Sequence, residues 1–302
     1  MTREELNKEI QDEITEEKNS KKNKHIIKFI IKVVIFTIVF FTLFFTYTTY
    51  ISTVKIGVRE YRIESKKIPQ SLSGIKIIQL SDLHYGTTMF NEDVLKIKKL
   101  VNERKPDIIV FTGDLVDKNY KLKSKEQEKL ITYLKNMEAS LGKYAILGDE
   151  DSELISTIFN QSDFTILRNE HDFIYRDDDN YILLIGISTK DKDIDKAYSY
   201  FKEENHNSNV YTITLTHKPD TTDEILPTYP TDLILAGHSL NGNIRIPFTK
   251  YSLFKYEGAE KYDQDYYKIN NTKLYISSGL GTPSGLRLFC RPSINFFRLS
   301  NN

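Results

Sequence analysis

The sequence predicts a layered α/β fold carried behind one membrane-spanning helix. Three observations lead there. Short apolar runs alternate with segments of helical period from residue 75 to residue 236. The best-defined runs stop at loops rich in Asp, His and Gly, which is where such folds present ligand-binding groups. One almost unbroken apolar stretch lies near the N-terminus.

The 302 residues allow one large domain or two small ones. Lys and Arg together number 42, as do Asp and Glu, so the formal net charge is zero and no nucleic-acid partner is expected. The one cysteine, Cys290, excludes an intramolecular disulfide and a multi-thiolate zinc site, and reads as a core residue.

Residues 1–25 form a charged tail, read as either a short solvated helix or a disordered segment. Residues 26–51 read as a transmembrane helix: Phe29 to Ile51 is apolar, aromatic or threonine except for Lys32. Lys28 and Lys32 can reach one headgroup layer, and Tyr47 and Tyr50 fall where an aromatic belt would lie on the other side. A cleaved signal peptide would be shorter and end in small residues, which Thr46-Tyr47-Thr48-Thr49-Tyr50 does not supply. Lysines 18, 21, 22, 24, 28 and 32 outweigh Lys55, Arg59 and Arg62 behind the span. The expected topology is therefore single-pass in the cell membrane, with the large domain, residues 52–302, outside the cytoplasm.

Within that domain, residues 52–70 alternate like a strand through Val54, Ile56, Val58, Tyr61 and Ile63. Ile75 to Leu80 is a short strand. Asn91 is placed to cap a helix reaching about Arg104, with Val94, Ile97, Leu100 and Val101 on one face. Ile108 to Phe111 is a buried strand, Ser124 opens a second helix, and Tyr144 to Leu147 is a strand. A helix near Leu154 to Phe159 follows, then strands at Tyr181–Ile187, Val210–Leu215 and Asp232–Ala236. Glu203 to Asn209 reads as a surface loop, Tyr262, Tyr266 and Tyr267 as packing residues, Gly279 and Gly281 as turn glycines, and Arg287 and Arg291 as solvated.

Five loops carry the chemistry: Ser81-Asp82-Leu83-His84, Gly113-Asp114-Leu115-Val116-Asp117, Gly148-Asp149-Glu150-Asp151, Thr216-His217 and Gly237-His238-Ser239-Leu240. Asp82 and His84, two apart, point the same way on an extended segment, although such a pair alone is an ordinary loop. Asp114 and Asp117 alone could cap a helix. Jointly the five loops hold three of the six histidines (His84, His217 and His238) as well as the acids, a donor set suited to divalent metals; His25, His171 and His206 lie elsewhere.

These loops, in this order, resemble the calcineurin-like metallophosphoesterases. With the Ser278-Gly279-Leu280-Gly281 tail and the anchor, they resemble the membrane-associated bacterial branch related to the UDP-diacylglucosamine pyrophosphatases. The resemblance implies a four-layer αββα sandwich with two mixed sheets. It implies one or two Mn, Fe or Zn ions held by Asp82, His84 and Asp114 and by Asp149, His217 and His238, with Asp114 bridging. It also implies hydrolysis of a phosphate ester or pyrophosphate by metal-activated water, on a small-molecule or lipid-linked substrate. Three positions depart from the family pattern. Asp149 stands where Asn is usual, and Glu150 where a catalytic His is usual. Leu240 stands at a histidine ligand position, with Ser239 or Asn241 as candidate substitutes. Asp149 and Glu150 together add two negative charges where phosphate would bind. The other reading of these departures is a degenerate fold acting as a binding or regulatory module.

Overall fold

A computed structural model of the protein describes residues 2–302 except 54, 177, 178, 204, 205, 247, 248 and 250, and leaves out the side chains of Glu5, Glu9, Tyr50 and Ile51. Val54 of the expected strand, Tyr50 of the expected belt and part of the expected 203–209 loop thus lie outside the described residues.

The N-terminal unit is one helix, α1 (Arg3–Thr46, 44 residues), continued by a π-helical turn, Tyr47–Ile51. The charged stretch is therefore helical rather than disordered, supported by the Glu17–Lys21 pair one turn apart. At 1.5 Å per residue α1 is roughly 66 Å long, about twice a hydrocarbon core. Its apolar half is long enough to cross a membrane, and its large apolar side chains are exposed. Thr37, Thr42 and Thr46 return their hydroxyls to the carbonyls of Val33, Ile38 and Thr42, so these three donors are satisfied within the helix.

The second unit, residues 49–302, holds two six-stranded mixed sheets. In chain order its strands are β1 (Gly57–Glu64), β2 (Lys76–Leu80), β3 (Ile108–Thr112), β4 (Gly142–Ile146), β5 (Thr165–Ile166), β6 (Glu170–Ile174), β7 (Ile182–Gly186), β8 (Tyr211–Thr216), β9 (Leu233–Ala236), β10 (Tyr266–Ile269), β11 (Thr272–Ile276) and β12 (Ser293–Ser300). The first sheet runs β1-β12-β2-β3-β4-β5, the second β10-β11-β9-β8-β7-β6. β2 to β5 are mutually parallel, as are β7, β8, β9 and β11. Antiparallel β12, β6 and β10 make both sheets mixed.

The helices are α2 (Asn91–Arg104), α3 (Ser124–Lys135), α4 (Glu153–Gln161) and the short α5 (Ile194–Ala197) and α6 (Thr222–Ile225). Alternate side chains sort into three apolar layers. Ile78, Leu80, Ile109 and Phe111 face Val94 and Ile97 of α2, Leu130 of α3 and Ile158 of α4. Ile77, Ile108 and Val110 face Leu184, Ile213 and Leu235 between the sheets. Leu183, Ile185 and Ile234 face Ala197, Tyr198 and Ile225 on the far side. The result is the expected αββα sandwich, with central strands apolar on both faces. Asn91 does not cap α2 but is its first residue. Phe90 precedes it, and Asp93 reaches back to accept the Phe90 N–H at 3.2 Å.

Gln79, fully buried, ties the sheets together at the end that carries the loops. Its amide donates to the Ala236 carbonyl (2.8 Å) and Thr112 Oγ1 (3.1 Å), and its oxygen accepts from Asn295 (2.9 Å). Gln79→Ala leaves buried partners unsatisfied and is expected to cost about 2–4 kcal/mol in urea unfolding. A change within about 0.5 kcal/mol would show that the sheets do not depend on it.

Candidate metal centre

The chemistry-bearing loops leave the C-terminal ends of five parallel strands. Asp82 and His84 follow β2, Asp114 follows β3, Asp149 and Glu150 follow β4, His217 follows β8 and His238 follows β9. The loops lock by backbone bonds, from Asp82 N–H to Gly113 O (2.9 Å) and from His84 N–H to Asp114 O (3.2 Å). Close approach demands glycine at 113 and 148. A Cβ on Gly113 would lie 2.5 Å from His217 Nδ1, and one on Gly148 would lie 2.1 Å from Asp114 Oδ1. Asp82, His84, Asp114 and His238 all adopt positive φ, a conformation that non-glycine residues hold only where surroundings enforce it.

All six expected metal-site residues gather in two overlapping sets. Donor atoms of Asp114, Asp149, His217 and His238 lie within 4.8 Å of one another, as do those of Asp82, His84 and Asp114, so Asp114 belongs to both. His217 Nε2 is 3.1 Å from Asp114 Oδ2 and 3.0 Å from Asp149 Oδ1. His238 Nδ1 is 3.4 Å from Asp149 Oδ1 and 3.2 Å from His217 Nε2. A third set joins His84, Asp117 and Glu150, with His84 Nδ1 at 3.4 Å from Glu150 and 3.9 Å from Asp117.

Backbone carbonyls assign the imidazole tautomers. A carbonyl only accepts, so His217 Nδ1 donates to Thr112 O (2.7 Å) and His238 Nε2 donates to Glu257 O (2.9 Å). That aims His217 Nε2 and His238 Nδ1 at the carboxylates. The Asp82 carboxylate accepts the His238 N–H at 3.0 and 3.2 Å, which orients it.

The charges show what the cluster lacks. Burial raises the Asp82 carboxyl, and burial together with Asp114 pushes Asp151 up to about 6. Burial would also raise Asp149, but the adjacent His217 and His238 imidazoles outweigh it and hold its carboxyl well below the usual range. Burial opposes protonation of His217, yet Asp114 and Asp149 raise it well above an ordinary imidazole. His84 Nδ1 and Asp149 Oδ1 are buried without an aligned hydrogen-bond partner. Facing lone pairs and crowded carboxylates fit a divalent cation.

Where the sequence departs from its family, the structure gives reasons and corrections. Leu240 is buried and lines a cavity of about 250 Å³ with His84, Asp114, Asp149, Glu150 and His238. Ser239 and Asn241, the candidate substitutes, are both buried and do not line that cavity. The two added acids are not unbalanced: Lys218 Nζ is 3.7 Å from Asp149, and Lys118 Nζ is 3.2 Å from Glu150. Both lysines line the cavity, as does Tyr256, and the sequence reading passed over all three. Asp151 is a structural clamp accepting the N–H groups of Asp114, Leu115 and Gly148. Arg287 is not solvated. It is fully buried and donates to the carbonyls of Ser278, Gly279, Gly281 and Cys290, shaping the tail loop whose Gly281 N–H braces Asp82 O at 2.7 Å. Gly281 is required by close approach to Leu83 O rather than by turn geometry, whereas Gly279 has φ 69°. Arg291 is exposed, and Cys290 and Tyr262 are buried as expected.

The raised His217 value has a definite sign. Without metal its Nε2 keeps a proton until the pH exceeds that raised value, and ligation must expel it. Mn²⁺ binding is therefore expected to release protons and to tighten as the pH rises, including above the range where an ordinary imidazole has already lost its proton. Calorimetry in buffers of different ionisation enthalpy reads the release. Proton-neutral binding with flat affinity would remove His217 from the ligand set.

Comparison with known proteins agrees with this geometry. The chain is 29% identical over 268 residues to the metallophosphoesterase YkuE of Bacillus subtilis, covering 84% of this chain and 89% of that protein. It is 31% identical over 204 residues to a metallophosphoesterase of Aquifex aeolicus, covering 64% and 73% respectively. It is 27% identical over 285 residues to the UDP-2,3-diacylglucosamine pyrophosphatase LpxG of Chlamydia muridarum, covering 75% and 84%. The model of the calcineurin-like phosphoesterase domain matches residues 75–242, more than half the chain and spanning all five loops, and the chain belongs to that family.

Proposed function

We propose that this chain is a membrane-anchored, metal-dependent phosphoesterase, and that Asp82, His84 and Asp114 hold one divalent ion while Asp149, His217 and His238 share Asp114 around a second. The observation that carries the reading is the pair of imidazole nitrogens committed by backbone carbonyls to face Asp114 and Asp149. Mn, Fe or Zn suits the mixed N/O set, and such ions supply Lewis-acid charge and water activation. The second set has four donors and is the firmer. The first has three, because Leu240 offers none, and is the weaker.

The protein's own groups do the rest. Lys118 and Lys218 flank the cavity and offer cations to phosphoryl oxygens in place of the imidazole usual at position 150. Burial would raise Glu150, but its contact with His84 prevails and lowers it, so it stays ionised and holds Lys118 and His84 in place rather than donating a proton. A leaving group that departs without protonation, such as the phosphate of a phosphoanhydride or an aryl oxide, is therefore favoured over an alkoxide. The anchor and the activity for which the LpxG relative is named support a lipid-linked pyrophosphate as the substrate class. The lysine excess before the span supports an extracytoplasmic domain.

Leu240 specifically favours a second reading, a fold that binds without turnover. Metal content, together with hydrolysis of bis-p-nitrophenyl phosphate in manganese, separates the two. Bound metal and turnover lost in Asp114→Ala or His238→Ala are expected. Metal near zero and no hydrolysis would eliminate the enzyme. If turnover is limited by the missing imidazoles, Leu240→His with Glu150→His should raise hydrolysis of an alkyl phosphodiester, whose alkoxide must be protonated as it leaves, by about 10²-fold or more, the usual worth of general-acid help. No gain would mean those two positions do not face the reacting phosphate.

A further inference from the structure

One wall of the catalytic cavity runs on into a hairpin whose outer face is hydrophobic. Arg245 N–H donates to Leu288 O at 3.0 Å, Ile246 N–H to Tyr251 O at 3.0 Å and Leu253 N–H to Ile244 O at 2.8 Å, which fixes its path. Ile246 is 45% exposed, Tyr251 72%, Leu253 59% and Phe254 55%, and Phe289, next to the paired Leu288, is 58% exposed. The other exposed large apolar residues described in this domain, Phe90, Leu154, Tyr175 and Tyr266, are widely separated in the chain and sit on different elements. Phe289 also holds φ 55°, a conformation bulky residues avoid, while its ring stays in water. Packing within the domain explains neither its backbone nor its exposure.

We infer that this hairpin and Phe289 dock on a lipid bilayer and seat the cavity mouth at the membrane surface, where an amphiphile can present its phosphate without leaving the bilayer. Three observations name the occupant. Aromatic and aliphatic side chains beside exposed Lys255 and Arg291 form the mixed composition that partitions into an anionic interface. The chain carries its own apolar helix of membrane-spanning length, and only residues 52–56 separate the end of its π-helical turn from β1, a tether of at most about 18 Å. The hairpin continues directly from Phe254 into Tyr256 and Glu257, which line the cavity. The inference rests on the anchor reading and not on turnover.

The chain contains no tryptophan, so one introduced indole is an unambiguous reporter. Full-length Phe254→Trp and, separately, Leu253→Trp are reconstituted in phosphatidylcholine–phosphatidylglycerol vesicles, with and without acyl-brominated lipid. Both positions are more than half exposed, so the exchanges leave the fold undisturbed. Flotation with the vesicles is expected, and failure to float would overturn the anchor itself. In floated protein the indole emission is expected to shift to the blue and to be quenched by brominated lipid. Tyr175→Trp, an exposed aromatic just beyond the end of β6, should be neither shifted nor quenched. Emission at 253 and 254 that stays unshifted and unquenched would overturn the docking. A blue shift without quenching would mean that protein, such as a second copy of the chain, covers the face, and would overturn a lipid occupant.

Discussion

Buried negative charge around Asp114 is the constraint on which the domain's architecture turns. Its carboxylate lies within reach of both donor sets, and its backbone is held by Asp151. Bringing Asp82, Asp114 and Asp151 together out of water, with the partly exposed Asp149 beside them, costs several kcal/mol per unpaired ion unless a cation answers them. The fold accepts that arrangement because its rigid sheets deliver the groups from several strand ends. It also holds several of the groups in left-handed backbone that no local preference would choose. Gln79, spanning both sheets beneath the loops, makes the delivery rigid.

The departures from the family pattern read differently once neighbours are known. An acid at 149 and another at 150 would repel a phosphate if they stood alone. Lys218 and Lys118 answer each of them, so the local charge is redistributed rather than simply made more negative. What is lost is a proton donor and one ligand. Leu240, which stands at a histidine position of the family pattern, lines the cavity, and a Cβ on Gly279 would lie 2.5 Å from its Cδ2, so glycine there leaves room for it. This is the pattern expected of a site retuned toward easier leaving groups, with one metal position weaker than the other.

Much of this was legible in the sequence because strand ends announce themselves: β-branched runs such as Ile108 to Phe111 stop at Gly-Asp, and helical spacing of Val94, Ile97 and Val101 marks a buried face. The six donor residues were legible by type and order. Their supports were not. Lys118 and Lys218 sit immediately after Asp117 and His217, so a signal existed, but adjacent lysines are ordinarily solvent-facing. Arg287 looked solvated because its burial depends on four carbonyls from a loop that curls around it, which no linear pattern encodes. The His217 and His238 tautomers are set by carbonyls of Thr112 and Glu257, distant in the chain or silent in composition.

Anomalous X-ray diffraction from crystals of the chain grown with manganese tests the central claim most directly. The account predicts a strong anomalous peak bounded by Asp114, Asp149, His217 and His238, at about 2.0–2.3 Å from the ligating atoms, and a weaker one beside Asp82 and His84. No peak among these side chains, with their carboxylates and imidazoles paired only to one another, would contradict it.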